Sequence, residues 1–206
     1  MIDDWYRRFG KRLFDLAAAA ALMVLMAPVM ILIAVLVRVR MGSPVLFRQR
    51  RVGRREQEFS VIKFRTMTDT SDTDGNLLTD AERLTRLGTL LRATSLDELP
   101  QLWNVLAGEM SLVGPRPLFP RYLPFYSDRE ARRNEVRPGI TGLAQISGRH
   151  RLAWDTRLEM DVQYVDSRAL RLDLSILWAT AKKVVVRDDK ASEPANLMDL
   201  DEERSQ

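Results

Sequence analysis

The chain has no cysteine and one histidine, His150, in 206 residues. Without cysteine there is no disulfide framework, thiol nucleophile or thiolate metal site, and a lone histidine excludes H-E-x-x-H and every other two-histidine motif. Neither the G-x-x-x-x-G-K-[ST] phosphate loop nor the G-x-S-x-G nucleophile elbow occurs, so nucleotide or acyl chemistry would need other apparatus. No internal repeat is visible. Residues 69–80 fail as a calcium loop, because with Gly75 at position six the first and twelfth positions are Thr70 and Ala81. Carboxylates, lysines and arginines are left to carry any chemistry.

Charge is absent from one stretch and dense around it. Residues 16–37 contain no charged side chain, and as a helix would be about 33 Å long against a hydrocarbon core of about 30 Å. Such a run belongs in a membrane; it exceeds a signal-peptide core and no small-x-small site follows Val37. Basic residues flank both ends, Arg7, Arg8, Lys11 and Arg12 before it and Arg38, Arg40, Arg48, Arg50 and Arg51 after it, so the positive-inside rule gives no orientation. Pro28 lies mid-run, where it removes a helix hydrogen bond at a cost of about 3 kcal/mol unless the freed carbonyl is satisfied. A spanning helix and a re-entrant helix, broken at Pro28 and leaving by the face it entered, both fit. Trp5 and Tyr6 suit interface anchors, and Asp15 has Lys11 one turn earlier. Residues 1–63 carry twelve Lys/Arg against five Asp/Glu and favour an anionic surface, nucleic acid or acidic lipid. Residues 187–206 reverse the sign, with seven acids against three bases, and read as a disordered acidic terminus.

The densest chemistry lies between Arg92 and Pro117. Asp97 and Glu98 follow Thr94-Ser95 and precede Leu99, Leu102, Trp103 and Leu106 at spacing i, i+3, i+4, i+7, which predicts an amphipathic helix with an acidic tip. Adjacent helical positions point roughly 100° apart, so the two carboxylates take separate roles. The structural reading of S-L-D-E is a capping box. Pro100 opposes it: with Ser95 as N-cap the proline falls at the fifth helical position, where an N–H is needed, whereas a start at Leu96 or Asp97 keeps it among the free first four. That start frees Glu98 and sets both acids at a helix N-terminus, which favours their ionised form and attracts phosphate.

Basic residues surround this pair in sequence. Short strands at 45–47 and 59–64, turning near Gly53, alternate Lys63 and Arg65 with Ile62 and Phe64, so the two cations face either a phosphate site or solvent. A helix over 81–91, capped by Asp80, puts Leu84, Leu87 and Leu91 on one face and ends at Arg92. Arg116, held between Pro115 and Pro117, suits a bidentate phosphate contact, although an isolated P-R-P is more often a surface turn. Pro138, Gly139, Gly142 and Gly148 form a loop whose backbone N–H groups can approach a ligand. Residues 155–186 give two more helices, the second carrying Trp178, Lys182 and Lys183 for packing or for a membrane interface.

Together, K-R-L-F-D at 11–15, S-P-V-L-F-R-Q-R-R-V-G at 43–53, K-F-R-T-M at 63–67, S-L-D-E-L-P-Q-L-W-N-V-L at 95–106, S-L-V-G-P-R-P at 111–117, R-P-G-I-T-G-L-A-Q-I-S-G-R at 137–149 and D-V-Q-Y-V at 161–165 resemble one family in order. It is the bacterial sugar transferase family, the monotopic polyprenyl-phosphate phosphoglycosyl transferases, in its minimal short form. The resemblance implies a mostly helical α+β fold in three parts. Residues 1–40 would form a re-entrant membrane helix hairpin, 41–186 a small cytoplasmic catalytic domain with a short β-hairpin and interfacial amphipathic helices, and 187–206 an acidic tail. Family members often place Ser before the proline; here Ala27 stands there, so the break would depend on Pro28. The implied catalytic pair is Asp97 and Glu98, with Lys63, Arg92, Arg116 and Arg149 on phosphate. Asp97 would attack a UDP-sugar, release UMP and pass the sugar phosphate to undecaprenyl phosphate, while Glu98 holds Mg²⁺.

This would initiate polysaccharide or glycoconjugate synthesis, including exopolysaccharide, at the cytoplasmic face of the bacterial inner membrane. Membrane lipids and downstream glycosyltransferases are the implied partners, and nucleic acid is not. A one-step ternary transfer and a catalytically silent, membrane-tethered anion-binding scaffold are the alternatives. The sugar, the glycan pathway, the oligomeric state and the purpose of the tail are not legible.

Overall fold

Helix leads the chain. The computed structural model describes residues 2–148, 152–186 and 199–205, and in it α1 (Ile2–Trp5) and a π-helical turn (Tyr6–Gly10) run directly into α2 (Lys11–Met41). Gly42, at φ +76, ends α2, a backbone shape that glycine takes without a side-chain clash. From Tyr6 to Met41 the helix is long and apolar enough to cross a membrane, with a mean hydropathy of 2.9 over its most apolar window. Val24, Leu25, Ile31 and Leu32 project away from the body, Val24 with 77% of its surface exposed, so this segment associates the protein with a membrane.

Pro28 does not interrupt the helix. Helical structure continues past it to Met41, with no non-helical residue at the proline. The ring removes only the amide that would have bonded to the Val24 carbonyl, and the bonds on either side carry the helix through. Both flanks of α2 nevertheless pack on one body. Near its start Arg12 donates to the carbonyls of Val105 (2.7 Å) and Leu106 (3.1 Å), and Ala19 is fully buried in the main core. Near its end Ile33 and Val37 pack with Phe64 and Leu91.

The hairpin is longer than its hydrophobic pattern predicts. Strand β1 (Leu46–Val52) pairs antiparallel with β2 (Glu58–Phe64) from Leu46 opposite Phe64 to Val52 opposite Glu58. The expected single helix over 81–91 is two, α3 (Asp80–Arg83) and α4 (Arg86–Ala93). Leu84 leaves helical geometry, and Thr85 starts the second helix by accepting from the Gly88 amide at 2.9 Å. Thr79, not Asp80, caps the first, in a capping box with Glu82. Helix α5 (Gln101–Ala107) ends at Gly108, φ +90, and leads to β3 (Ser111–Val113). A 3₁₀ segment (Pro120–Phe125) and α6 (Asp128–Ala131) precede β4 (Gly139–Thr141), which pairs parallel with β3. Helices α7 (Leu143–Ser147), α8 (Trp154–Ser167), α9 (Leu170–Val186) and α10 (Leu200–Glu203) complete a mostly helical α+β fold.

Leu102, Val105, Met110, Val113, Tyr164 and Ile176 form the centre of the main core. Beside it lies a buried polar lock. Fully buried Asp173 on α9 faces Lys11 Nζ at 2.9 Å and accepts from the hydroxyls of Tyr6 (2.5 Å) and Tyr164 (2.8 Å). Lys11 also pairs with Asp15 at 3.0 Å, and Asp15 accepts from Ser111 Oγ and the Leu112 amide. Three sequence blocks thus meet at one cluster and hold the start of α2 against β3, α8 and α9.

The acidic terminus departs from its expected disorder where it is described. Leu200 of α10 is fully buried against Tyr122, Trp154 and Leu158. Arg204 forms a two-pronged pair with Glu130 (2.7 and 2.8 Å) and also contacts Asp155, while Arg121 pairs with Asp199 and Asp201. The expectation treated the segment as charge alone and missed one leucine with a pocket to fill.

Candidate active site

Residues 92–98 turn sharply ahead of α5. Ser95 takes a left-handed conformation (φ +57) and makes no side-chain cap, so the capping box does not form. Leu96–Glu98 is a 3₁₀ turn, and α5 starts only at Gln101, after Pro100, rather than at Leu96 or Asp97. Glu98, free of the backbone, accepts through one oxygen, Oε1, from Lys63 Nζ at 2.6 Å and Arg116 Nη2 at 3.0 Å. Burial alone would raise its pKa, but Arg116 and Lys63 outweigh this and hold it at about 2. Asp97, 7% exposed, makes no hydrogen bond among the described residues. Burial raises its pKa against the pull of Lys63, Arg92 and Arg116, with Glu98 adding to the rise. The neighbours therefore differ in kind, one carboxylate neutralised by two cations and one unengaged.

Each cation is set by its element. Lys63 comes from β2, and Asn104 fixes β2 against α5: its side chain accepts from the Ile62 amide (3.1 Å) and donates to the Ser60 carbonyl (2.8 Å). Asn104 is fully buried and was missed by the sequence reading; its signal is one amide inside the apolar run L-W-N-V-L. Desolvation lowers the Lys63 pKa, and Arg116 lowers it further against the attraction of Glu98. Arg92, at the end of α4, donates from Nε to Thr66 Oγ1 at 3.1 Å. The Arg116 loop is held from behind by Arg133, which donates to the Arg116 carbonyl at 2.6 Å while forming a buried pair with Asp161 at 2.8 Å.

Two expected roles change. Arg65 is directed at its own chain, donating to the carbonyls of Met67 (2.9 Å) and Ser43 (3.1 Å) and pairing with Asp69, so its guanidinium clamps the end of α2 to β2. The glycines of 139–142 serve backbone packing: a Cβ on Gly139 would lie 2.1 Å from the Gly114 nitrogen, and one on Gly142 2.2 Å from the Gly114 oxygen. They let the β3 and β4 ends close behind Arg116. Arg149 lies outside the described residues.

Lys63, Arg65, Arg92, Asp97, Glu98 and Arg116 line one cavity of about 1400 Å³, whose wall also includes Leu22 and Met26 of α2. The cavity thus joins a cationic floor to the apolar helix. Along the sequence, the bacterial sugar transferase family model matches residues 6–187. The chain belongs to the bacterial sugar transferase family. Its relatives in that family include the uncharacterized sugar transferase EpsL of Bacillus subtilis, 52% identical over 178 residues, 86% of this chain and 88% of the relative. The UDP-glucose:undecaprenyl-phosphate glucose-1-phosphate transferase of Caulobacter vibrioides is 41% identical over 192 residues, 87% of this chain and 71% of the relative. The undecaprenyl-phosphate galactose phosphotransferase of Salmonella typhimurium is 40% identical over 199 residues, 88% of this chain but 41% of that longer protein. The bacterial sugar transferase match ends where the acidic terminus begins.

The family reading raises the question of magnesium. Glu98 spends Oε1 on Lys63 and Arg116, and its Oε2 makes no hydrogen bond among the described residues. Mg²⁺ commonly takes one or two carboxylates and completes its shell with substrate phosphates and water, so this donor fits. No group of three or more His, Cys, Asp or Glu that could hold a metal ion occurs among the described residues.

Proposed function

We propose that the protein transfers a sugar 1-phosphate from a UDP-sugar to undecaprenyl phosphate at the cytoplasmic face of the bacterial inner membrane, in two steps through Asp97. Asp97, buried, without a hydrogen bond of its own and surrounded by Lys63, Arg92 and Arg116, is the observation that carries this reading. An unsolvated carboxylate is a stronger nucleophile than one in water, and Lys63, Arg92 and Arg116 oppose the rise in its pKa that burial causes. One Asp97 oxygen bonds to the sugar-linked phosphorus; the bond from that phosphorus to the bridging oxygen breaks, and its electron pair leaves with UMP. An oxygen of the lipid phosphate then bonds to the same phosphorus, and the acyl phosphate bond breaks to restore Asp97. Lys63, Arg92 and Arg116 stabilise the charge on the transferring group.

Glu98, through Oε2, would hold Mg²⁺, which supplies screening of the diphosphate charge. The apolar wall from Leu22 and Met26 gives a polyprenyl chain an approach to the same floor. Both flanks of α2 pack on one body, which supports a helix that enters and leaves by one face, with Pro28 at its deepest part.

The test is a panel of UDP-sugars with Mg²⁺ and no lipid acceptor, following UMP and intact protein mass. The expected result is a stoichiometric UMP burst with a sugar-phosphate adduct, absent in Asp97→Asn. UMP appearing only after undecaprenyl phosphate is added, with no adduct, would reassign Asp97 to a one-step transfer.

A further inference from the structure

Another arginine lines the cavity, Arg157, and nothing in the transfer above uses it. Arg157, on the first turn of α8, stacks its guanidinium over the Trp154 ring at 4.6 Å and donates from Nε to the Leu152 carbonyl at 2.8 Å. It is half-buried, and among the described residues it forms no ion pair. Asp161, the acid one turn along, is taken at Oδ2 by Arg133 through both Nε (3.0 Å) and Nη2 (2.8 Å). Glu203 of the docked terminus attracts Arg157 without pairing with it. Desolvation and, among charges, the repulsion of Arg116 act against its protonated form. A cation that is stacked, partly desolvated and near another cation, yet forms no ion pair among the described residues, is arranged for an anion that arrives.

Position narrows which anion. Arg157 shares the cavity with Lys63, Arg92, Asp97, Glu98 and Arg116, and among the described residues it makes no hydrogen bond or ion pair with any of them. Arg157 thus adds to the cationic floor a guanidinium that neither Asp97 nor Glu98 engages. In-line displacement puts the leaving group opposite the attacking oxygen, and the charge that develops there sits on a phosphate monoester. We propose that Arg157 binds the phosphate of the departing UMP, with Trp154 as the platform that holds the guanidinium in place. The acceptor's phosphate has the same chemistry and approaches along the same line in the second step. This assignment rests on the two-step reading for its geometry, but its test does not.

UMP binding is measured by titration calorimetry on the full-length protein in detergent, for wild type, Arg157→Gln, Arg157→Lys and Asp97→Asn, with thermal unfolding in parallel. Loss of a charged contact to phosphate is expected to weaken UMP binding about 10- to 100-fold in Arg157→Gln. Arg157→Lys should recover part of this, and Asp97→Asn should bind UMP at least as well as wild type. Unchanged UMP affinity in Arg157→Gln overturns the proposal. So does equal weakening by Gln and Lys with a matching fall in melting temperature, which makes Arg157 a packing residue of α8. A second arm titrates farnesyl phosphate against bound UMP: Arg157-dependent displacement shows that the lipid phosphate shares the site, and binding without displacement restricts Arg157 to the nucleotide. If wild type forms no covalent adduct while UMP binding still depends on Arg157, the two-step reading fails and the assignment stands.

Discussion

Asp173→Asn should destabilise the protein far more than a typical polar substitution, without touching the cavity. Asp173 is fully buried and serves Lys11, Tyr6 and Tyr164 through two oxygens. Asparagine keeps the volume but removes the charge that faces Lys11 and replaces one acceptor with a donor. Breaking a buried ion pair costs about 3–5 kcal/mol. Asp15, still 3.0 Å from Lys11, and the Val113 carbonyl, still bonded to Tyr164, place the cost at the lower end, about 3 kcal/mol. For a chain of this size about 1 kcal/mol moves the melting temperature by about 2–4 °C, so the expected fall is about 6–12 °C. The assay is thermal unfolding in detergent micelles, with UMP release per folded molecule measured well below the transition and expected to stay near wild type. Lys11→Met with Asp173→Leu should recover little of the loss, because Asp15, buried and paired with Lys11, then loses its cation. A fall of less than about 3 °C for Asp173→Asn would show that the cluster does not hold α2 to the body.

Gly88→Ala should cost about 3 kcal/mol or more, since its Cβ would lie 1.9 Å from the Thr66 carbonyl oxygen; transfer should also fall, because Thr66 orients Arg92, and unfolding and UMP release read the two effects. Glu98→Gln should abolish the Mg²⁺ dependence of UMP release along with most of the rate, and an unaltered magnesium titration curve in the residual activity would remove Glu98 as the ligand. Glu130, hydrogen-bonded by Arg204 and Ser127, has its pKa lowered from 4.5 to about 2. Its stabilising share is complete above about pH 4.5 and is lost as pH falls through 2, so Arg204→Ala should flatten the acid limb of a melting-temperature profile. Leu200→Ala empties a buried site and should release α10, read as lost hydrogen-exchange protection in residues 200–203.

Several features were legible because they depend on local chemistry. The apolar run, the basic hairpin and the two late helices follow from periodicity, and Pro100 alone argued Glu98 out of a capping box. What was hidden depends on distant partners. Trp103 shares its spacing with Leu102 and Leu106, yet 59% of it is exposed while Gln101 and Asn104 are buried, because α5 turns its polar side to β2 and the N-terminal segment. Arg65 looks like Lys63 in sequence, but the end of α2 reaches it first. Arg157 carries no local mark, since its meaning lies in the ion pair it does not form among the described residues. The Gly139–Gly142 stretch showed that backbones come close there, but not that the approaching backbone was the protein's own.

The lock at Asp173 also bears on how the chain is made. Tyr6 and Asp173 are 167 residues apart. At about 5–20 residues per second, synthesis takes on the order of 10 s between them. Throughout that interval α2 has met the bilayer while Asp173, the partner that anchors its start to the body, has yet to leave the ribosome. The body therefore closes onto a helix start that was made well before the group that anchors it. A chain halted before residue 173 would lack the carboxylate that faces Lys11 and Tyr6, and in that cluster the start of α2 would be held by Asp15, Ser111 and Leu112 alone.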